Sequence, residues 1–287
     1  MDLTTELPRS SYARLHNLIL LPRTIDKIRA DVAGTLGEYV WRVGFSAWVL
    51  DFLGLDYDAT AEAVAMNQAD EAVWVWIQAN MQDRAPEEVA RFNRHIIERR
   101  FGPDHPQTAQ KILASIGKTE LADIVSICEL LDLEENREAS LMTDTLDLST
   151  VAPRDPYQKF LGLVNLPRLL DKARAELAGT MGPYFWRIGQ SLLLLEFLEI
   201  PAAELYEALK TDQSDAAMCE WIAGNMAPRT NVEIAYFNRG AIQNYPVTVD
   251  RMQFHHSLME ERGLGGLANI VSAFERLCWD EAGPWPG

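Results

Sequence analysis

The same stretch of sequence occurs twice in this chain, as LPRTIDKIRADVAGTLGEY from Leu21 to Tyr39 and as LPRLLDKARAELAGTMGPY from Leu166 to Tyr184. When the chain is compared with itself at a shift of 145 residues, 36 of the 83 positions from Tyr12 to Arg94 are identical, and no gap is needed. A repeat of this length indicates two tandem homologous domains. We place their boundary at the proline-containing stretch TVAPRDP, which gives domains 1–150 and 151–287.

The pattern inside each copy is helical. In the repeated stretch, apolar residues recur three or four positions apart, and Pro22 and Pro167 suit a first helical turn. Alternating apolar runs bounded by hairpin turns, which would indicate strands, are missing. The sequence therefore predicts an all-α protein with five to seven helices per domain. Because duplicated domains often pack as homodimers do, we expect a pseudo-twofold axis between them.

Charge and composition exclude several classes of partner. The formal net charge is −16, from 42 acidic and 26 basic residues, so binding to nucleic acid or to an anionic membrane is not expected. The longest apolar run, SLLLLEFLEI, is shorter than the ~20 residues that cross a bilayer. The first residues lack a secretory signal and the three cysteines lack CxxC spacing, so we expect a cytoplasmic protein. Because the two fused domains can already make with each other the contact that a single-domain protein would make by dimerising, we expect a monomer or weak dimer.

The motif LPR-x-x-DK-x-RA is followed in both copies by G-T-x-G-x-Y and later by an FN pair. This combination resembles a bacterial family known as domain of unknown function 5069. The resemblance implies a shared fold unit and a bacterial origin. It transfers no catalytic residue to this chain.

Two charged positions of the repeated helix form a predicted supporting ion pair. Arg29 lies at the edge of the apolar face, where a half-buried guanidinium would be costly without a carboxylate. Asp26, one turn earlier, is the expected partner, and Asp171 is expected to pair with Arg174 in the second copy. Lys27 lies opposite the apolar face and is expected in solvent.

The next predicted helix, YVWRVGFSAWVLDFL, is apolar on nearly every side, yet it carries Arg42 and Ser46 one turn apart. The corresponding stripe of the second copy carries Arg187, Gln190 and Ser191. Buried polar groups are satisfied by protein, water or ligand, so this polar strip either fixes helix packing or lines a pocket. Gly44 and Gly189 in the same helix indicate a close approach to the backbone, by a neighbouring helix or a ligand.

Two further repeated polar positions allow a structural interpretation. Asn93, and Asn238 in the second copy, point into the apolar face of a predicted helix, where the amide either bridges two helices or lines a pocket beside Arg42. Asp70 and Asp215 open a helix, and helix capping explains both. Neither pair requires a ligand.

No catalytic or metal-binding set is predicted. His256 and Glu260 have the i, i+4 spacing of a metal pair, but no third ligand follows and the first copy has no matching histidine. The histidines and cysteines form no nucleophile and base arrangement that recurs between the copies. We therefore predict no metal and no cofactor, and we leave open whether the protein is an enzyme.

The sequence supports two functions. The first is binding, with or without conversion, of a small anionic organic molecule, because arginines beside aromatic residues favour a carboxylate or phosphate. The candidate binding residues are Tyr39, Trp41, Arg42, Ser46 and Asn93 in the first copy, and Tyr184, Trp186, Arg187, Gln190, Ser191 and Asn238 in the second. The alternative is a non-catalytic interaction or structural module in which these repeated polar residues only fix helix packing.

Overall fold

A computed structural model of the chain describes residues 1–101 and 106–282. It confirms the all-α prediction: the described residues form fourteen α-helices, two short 3-10 helices and two hairpins whose strands are two residues long. Seven α-helices fall in each copy, within the predicted range. Among the described residues, no helix combines the length and apolar character needed to cross a membrane.

The two copies repeat the same order of elements. The first contains β1 (Arg14–Leu15), β2 (Leu18–Ile19), α1 (Leu21–Val32), α2 (Gly44–Leu53), α3 (Tyr57–Met66), α4 (Asp70–Asn80), α5 (Pro86–Glu98), α6 (Pro106–Ser115) and α7 (Ile127–Glu134). The second contains β3 (Lys159–Phe160), β4 (Leu163–Val164), α8 (Leu166–Ala178), α9 (Gly189–Leu198), α10 (Ala202–Leu209), α11 (Asp215–Asn225), α12 (Asn231–Ile242), α13 (Val249–Glu260) and α14 (Ala273–Ala282). The 3-10 helices Thr119–Leu121 and Gly265–Leu267 precede α7 and α14.

The hairpins are the elements that the sequence did not predict. Each joins its antiparallel strands through a two-residue turn with positive φ at both positions, His16 and Asn17 in the first copy and Leu161 and Gly162 in the second. Strands of two residues are too short to show an alternating pattern. Each hairpin leads directly into the helix of the repeated motif, which begins with the predicted proline in its first turn.

The start of α2 differs from the sequence prediction. The helix begins at Gly44 rather than near Tyr39, and α9 begins at the equivalent Gly189. Their φ angles are +61° and +55°, which glycine adopts readily and other residues do not. A Cβ atom at either position would meet no atom of the described residues within 4 Å, so the predicted close approach of a neighbouring helix is wrong. The glycines are explained by this turn of the backbone.

The two copies contact each other reciprocally. Tyr12 stacks on its counterpart Tyr157, with ring centroids 4.6 Å apart. Arg14 on β1 pairs with Glu275 on α14, and in the other direction Lys159 on β3 pairs with Glu129 on α7 at 2.9 Å. The members of these pairs occupy equivalent positions in the two copies, as the predicted pseudo-twofold relation requires. One hydrophobic cluster combines side chains of both copies.

Candidate functional site

The charged residues of the repeated motif form a network with partners that the sequence did not indicate. Asp26 accepts hydrogen bonds from Arg9, with a shortest distance of 2.8 Å, while Arg29 pairs with Asp70 on α4 at 2.8 Å. Arg9 also contacts Asp70. The predicted Asp26 to Arg29 pair is therefore wrong, because each residue reaches a group outside its own helix.

The second copy contains the same network in a more buried form. Arg154 lies 2.6 Å from Asp171 and 2.8 Å from Asp215, and Arg174 lies 2.8 Å from Asp215. The predicted Asp171 to Arg174 contact is longer, at 3.7 Å. Burial alone would raise the pKa of Asp215, but its hydrogen bonds with Arg154 and the charge of Arg174 outweigh burial and lower it.

The network also corrects the capping interpretation of Asp70 and Asp215. The N-cap of α4 is Ala69, and the N-cap of α11 is Ser214, whose hydroxyl accepts from the backbone N–H of Ala217. Asp70 and Asp215 are the first residues of these helices and pair with arginines instead. Their role is to join three segments of each copy.

The predicted burial of Arg42 and Arg187 is wrong. Their side chains are 50% and 48% exposed, and they pair with Asp58 and Glu176, each at 2.7 Å. The reason is the late start of α2 and α9, which leaves both arginines in the preceding loops. Ser46, which we expected beside Arg42 on one helix, is buried inside α2. No continuous polar strip runs down the helix.

The tryptophans and asparagines of the candidate list have structural contacts. The buried indoles of Trp41 and Trp186 donate Nε1–H to Asp31 at 2.8 Å and to Glu176 at 2.9 Å. Asn93 donates to the Asn17 carbonyl at 2.7 Å and accepts from the backbone N–H of Ile19 at 3.3 Å. Asn238 makes the equivalent bonds with the Gly162 carbonyl and the Val164 N–H, at 2.8 and 3.1 Å. These amides hold each hairpin against α5 or α12.

Three other candidates, Tyr184, Gln190 and Ser191, come together around a lysine. Tyr184 and Gln190 line a cavity of about 660 Å³ in the second copy, and Ser191 contacts Lys172, which lines the same cavity. Residues of α13, of α14 and of the turn that follows α13 also line it, among them Phe254, Leu258, Arg262, Arg276 and Glu281. We call this space the Lys172 cavity.

Lys27, which we expected in solvent, is half-buried, so that expectation is wrong, and the equivalent Lys172 is only 8% exposed. Its Nζ donates to the Phe185 carbonyl at 3.1 Å and to the Ser191 hydroxyl at 2.7 Å. Within residues 1–101 and 106–282 it forms no ion pair with a carboxylate. Burial, and after it the charge of nearby Arg168, lowers the pKa of Lys172 to about 7. At the equivalent Lys27, burial and Arg23 lower the pKa to about 8.

The Lys172 cavity carries an excess of positive charge. Arg168 is paired with Glu281, and Arg262 with Asp280. Arg276 forms no ion pair with a carboxylate of the described residues, and its buried Nε atom has no hydrogen-bond partner there. Burial, and after it the charge of Arg262, lowers the pKa of the Arg276 guanidinium.

Two of the cavity's polar residues are replaced by apolar ones in the first copy. At a shift of 146, Arg276 corresponds to Leu130, which packs in a hydrophobic cluster with Leu113. At a shift of 145, Gln190 corresponds to Phe45, and the buried Oε1 atom of Gln190 has no hydrogen-bond partner within the described ranges. The gapless part of the repeat aligns Gln190 with Phe45, whereas Arg276 lies on α14, beyond that part, so sequence reasoning missed the second position.

Comparison with known proteins identifies the family of this chain but no activity. A family model described as "Domain of unknown function (DUF5069)" matches the chain twice, over residues 5–137 and 150–282. A search of curated proteins finds no match. Each matched range contains one complete ion-pair network, one hairpin and the helices that follow it. The chain therefore belongs to the DUF5069 family and carries the family's domain twice in tandem.

Proposed function

We propose that the Lys172 cavity binds a small organic molecule that carries a carboxylate or phosphate group. The observation that carries this proposal is that Lys172 and Arg276 line one cavity and form no ion pair with a carboxylate of the described residues. A buried charge without a counter-charge is costly. A bound anion would neutralise Arg276 and, in the molecules where it is protonated, Lys172, and the planar guanidinium of Arg276 suits a carboxylate or phosphate.

Further features of the cavity fit an organic ligand. Its volume of about 660 Å³ lies within the range of roughly 300 to 1,000 Å³ that small-molecule sites occupy. Phe254, Leu258 and Ile188 supply apolar walls, and the unpartnered Oε1 of Gln190 would accept a hydrogen bond from the ligand. Positive charge collects here although the chain as a whole carries −16. An anion would therefore be drawn to this cavity rather than to the surrounding surface.

The alternative, a non-catalytic interaction or structural module, is favoured by the other repeated polar residues. Asp26, Arg29 and Asn93 have protein partners that explain them without a ligand. Under this alternative the Lys172 cavity would bind no anion with useful affinity. The two functions therefore differ in one measurable property of one cavity.

Calorimetry and thermal shift with a panel of carboxylates and phosphate esters test the proposal. We expect a member of the panel to raise the melting temperature, because a ligand that binds only the native state stabilises it. The informative variant is Arg276→Leu, which installs the residue of the first copy. It should weaken binding by about 2 to 5 kcal/mol, as loss of one partner of a desolvated charge pair does.

The matched control is Arg42→Met, which removes an exposed arginine that does not line the cavity and should leave affinity unchanged. The proposal is wrong if no anion in the panel binds. It is also wrong if a binding anion has the same affinity for the wild type, Arg276→Leu and Lys172→Met.

We further propose a cytoplasmic protein that is a monomer or weak dimer, without a nucleic-acid or membrane partner. Support comes from the cysteines, which are all free thiols, as in reducing compartments. The reciprocal contacts between the copies, such as Arg14 with Glu275, already provide an interface of the kind that homodimers form. Light scattering that shows an obligate tetramer would contradict the oligomeric part of this proposal.

A further inference from the structure

The hydrogen bonds of Lys172 match a neutral amine. A neutral primary amine has two N–H donors and one lone pair, whereas an ammonium group has three donors. The Phe185 carbonyl and the Ser191 hydroxyl, at 3.1 and 2.7 Å, accept two. The described part of the chain offers Nζ no third acceptor within hydrogen-bond distance. The lone pair of the neutral form is thus free for a molecule in the cavity that Lys172 lines.

The charged groups around Lys172 set the fraction of neutral amine. Burial lowers its pKa most, Arg168 on the same helix lowers it further, and Glu281 on α14 and Asp171 on α8 oppose these effects, with a result of about 7. About half of the molecules then hold a neutral amine at pH 7. An ordinary lysine with a pKa of ~10.4 is neutral in only about one molecule in 2,500 at that pH. A desolvated lysine beside a second cation is a known arrangement for an amine nucleophile.

We infer that Lys172 forms an imine with an aldehyde or ketone that carries an anionic group, an inference that rests on the proposed function of the cavity. The amine nitrogen bonds to the carbonyl carbon as the C=O π bond opens, and a proton passes from nitrogen to oxygen. The resulting carbinolamine loses its hydroxyl and the second nitrogen proton as one water molecule, which leaves a C=N bond. No oxidant, reductant or other co-reactant is needed for this step.

Tyr184 and Arg276 have defined places in this reaction. Burial, and after it the charge of Glu281, raises the pKa of Tyr184, so the phenol stays protonated at neutral pH; its O–H, which donates to Glu281, would turn from that carboxylate to donate to the departing hydroxyl. Its ring lines the same cavity as Lys172. Arg276 would hold the anionic group of the substrate while the carbonyl faces the amine. In the first copy, Leu130 replaces this arginine, so the inference applies to the second copy alone.

Reductive trapping tests the inference on the unmodified protein. The wild type is incubated at pH 7 with glyoxylate and cyanoborohydride, which converts an imine to a stable carboxymethyl amine, and modified lysines are mapped by peptide mass spectrometry. The chain has six lysines, which makes the map unambiguous: Lys27, Lys111, Lys118, Lys159, Lys172 and Lys210. We expect modification of Lys172 about fivefold faster than that of Lys27, because pKa values of about 7 and about 8 leave about one half and one eleventh of the two amines neutral at pH 7, and faster still than that of exposed Lys210.

A second, uncharged aldehyde distinguishes the reactivity of the Lys172 amine from the binding of the anionic group. Propionaldehyde, which has no charge, should modify Lys172 equally fast in the wild type and in Arg276→Leu, whereas glyoxylate should react at least about tenfold more slowly with the variant. If anions bind in calorimetry but neither aldehyde prefers Lys172, the imine inference is wrong and the proposed function stands. If Lys172 reacts preferentially but Arg276→Leu changes neither rate, the anion site and the inferred substrate class both fail.

Discussion

Replacing Lys172 by Met should change how the stability of the protein depends on pH. The folded protein holds this amine buried with a pKa of about 7, whereas the ordinary value for lysine is 10.5. Between these two values the unfolded chain carries a proton on the lysine that the folded protein has lost. Raising the pH through this window therefore favours the folded state, and below pH 7 the folded state bears the full cost of burying the charge.

The size of the effect follows from that pKa difference. Each pH unit between the two pKa values is worth about 1.4 kcal/mol of unfolding free energy, so the whole window is worth about 5 kcal/mol. A methionine has no proton to lose, and it fills a volume similar to that of the lysine stem. The free energy of unfolding of the wild type, minus that of Lys172→Met, should therefore rise by about 1.4 kcal/mol per pH unit between roughly pH 7.5 and 9.5.

Urea denaturation of both proteins at several pH values measures this difference. Taking the difference removes contributions from thiols and other groups that the two proteins share. Lys210→Met is the matched control, since its side chain is 48% exposed and its removal should leave the pH dependence of stability unchanged. Parallel curves for the wild type and Lys172→Met would show that the lysine is not held as a desolvated amine, and would refute the reasoning for both proposals.

Three further changes test the framework around the cavity. Glu275→Ala removes the partner of a buried arginine at the junction of the copies and should cost about 3 to 5 kcal/mol in urea denaturation, whereas Asp58→Ala, in an exposed pair, should cost less than about 1 kcal/mol. Asn93→Ala should cost about 1 to 3 kcal/mol by unpairing the hairpin backbone, and exposed Asn80→Ala should cost distinctly less in the same assay. The lowered pKa of Asp215 adds stability at neutral pH that is lost as pH falls through the acidic range, so Asp215→Asn should flatten the acid limb of the pH and stability profile.

The sequence by itself determined the duplication, the helical class and the start of each motif helix. These features depend on local signals: apolar residues three or four positions apart, and a proline in the first turn of α1 and α8. Such signals act between residues that are neighbours in the chain. The sequence did not predict the hairpins, because a strand of two residues is too short to show such a pattern.

Only the tertiary structure decided which polar residues meet. Asp26 takes Arg9 as its partner because the segment before the hairpin returns to α1, and no spacing rule links residues so placed. Arg42 is exposed because one left-handed glycine delays the start of α2. Lys172 is buried where the chain at Phe185 and the Ser191 hydroxyl contact it, and Arg276 lines the same cavity only through the packing of α14. Burial and charge pairing depend on distance in space, which helical periodicity within one segment does not encode.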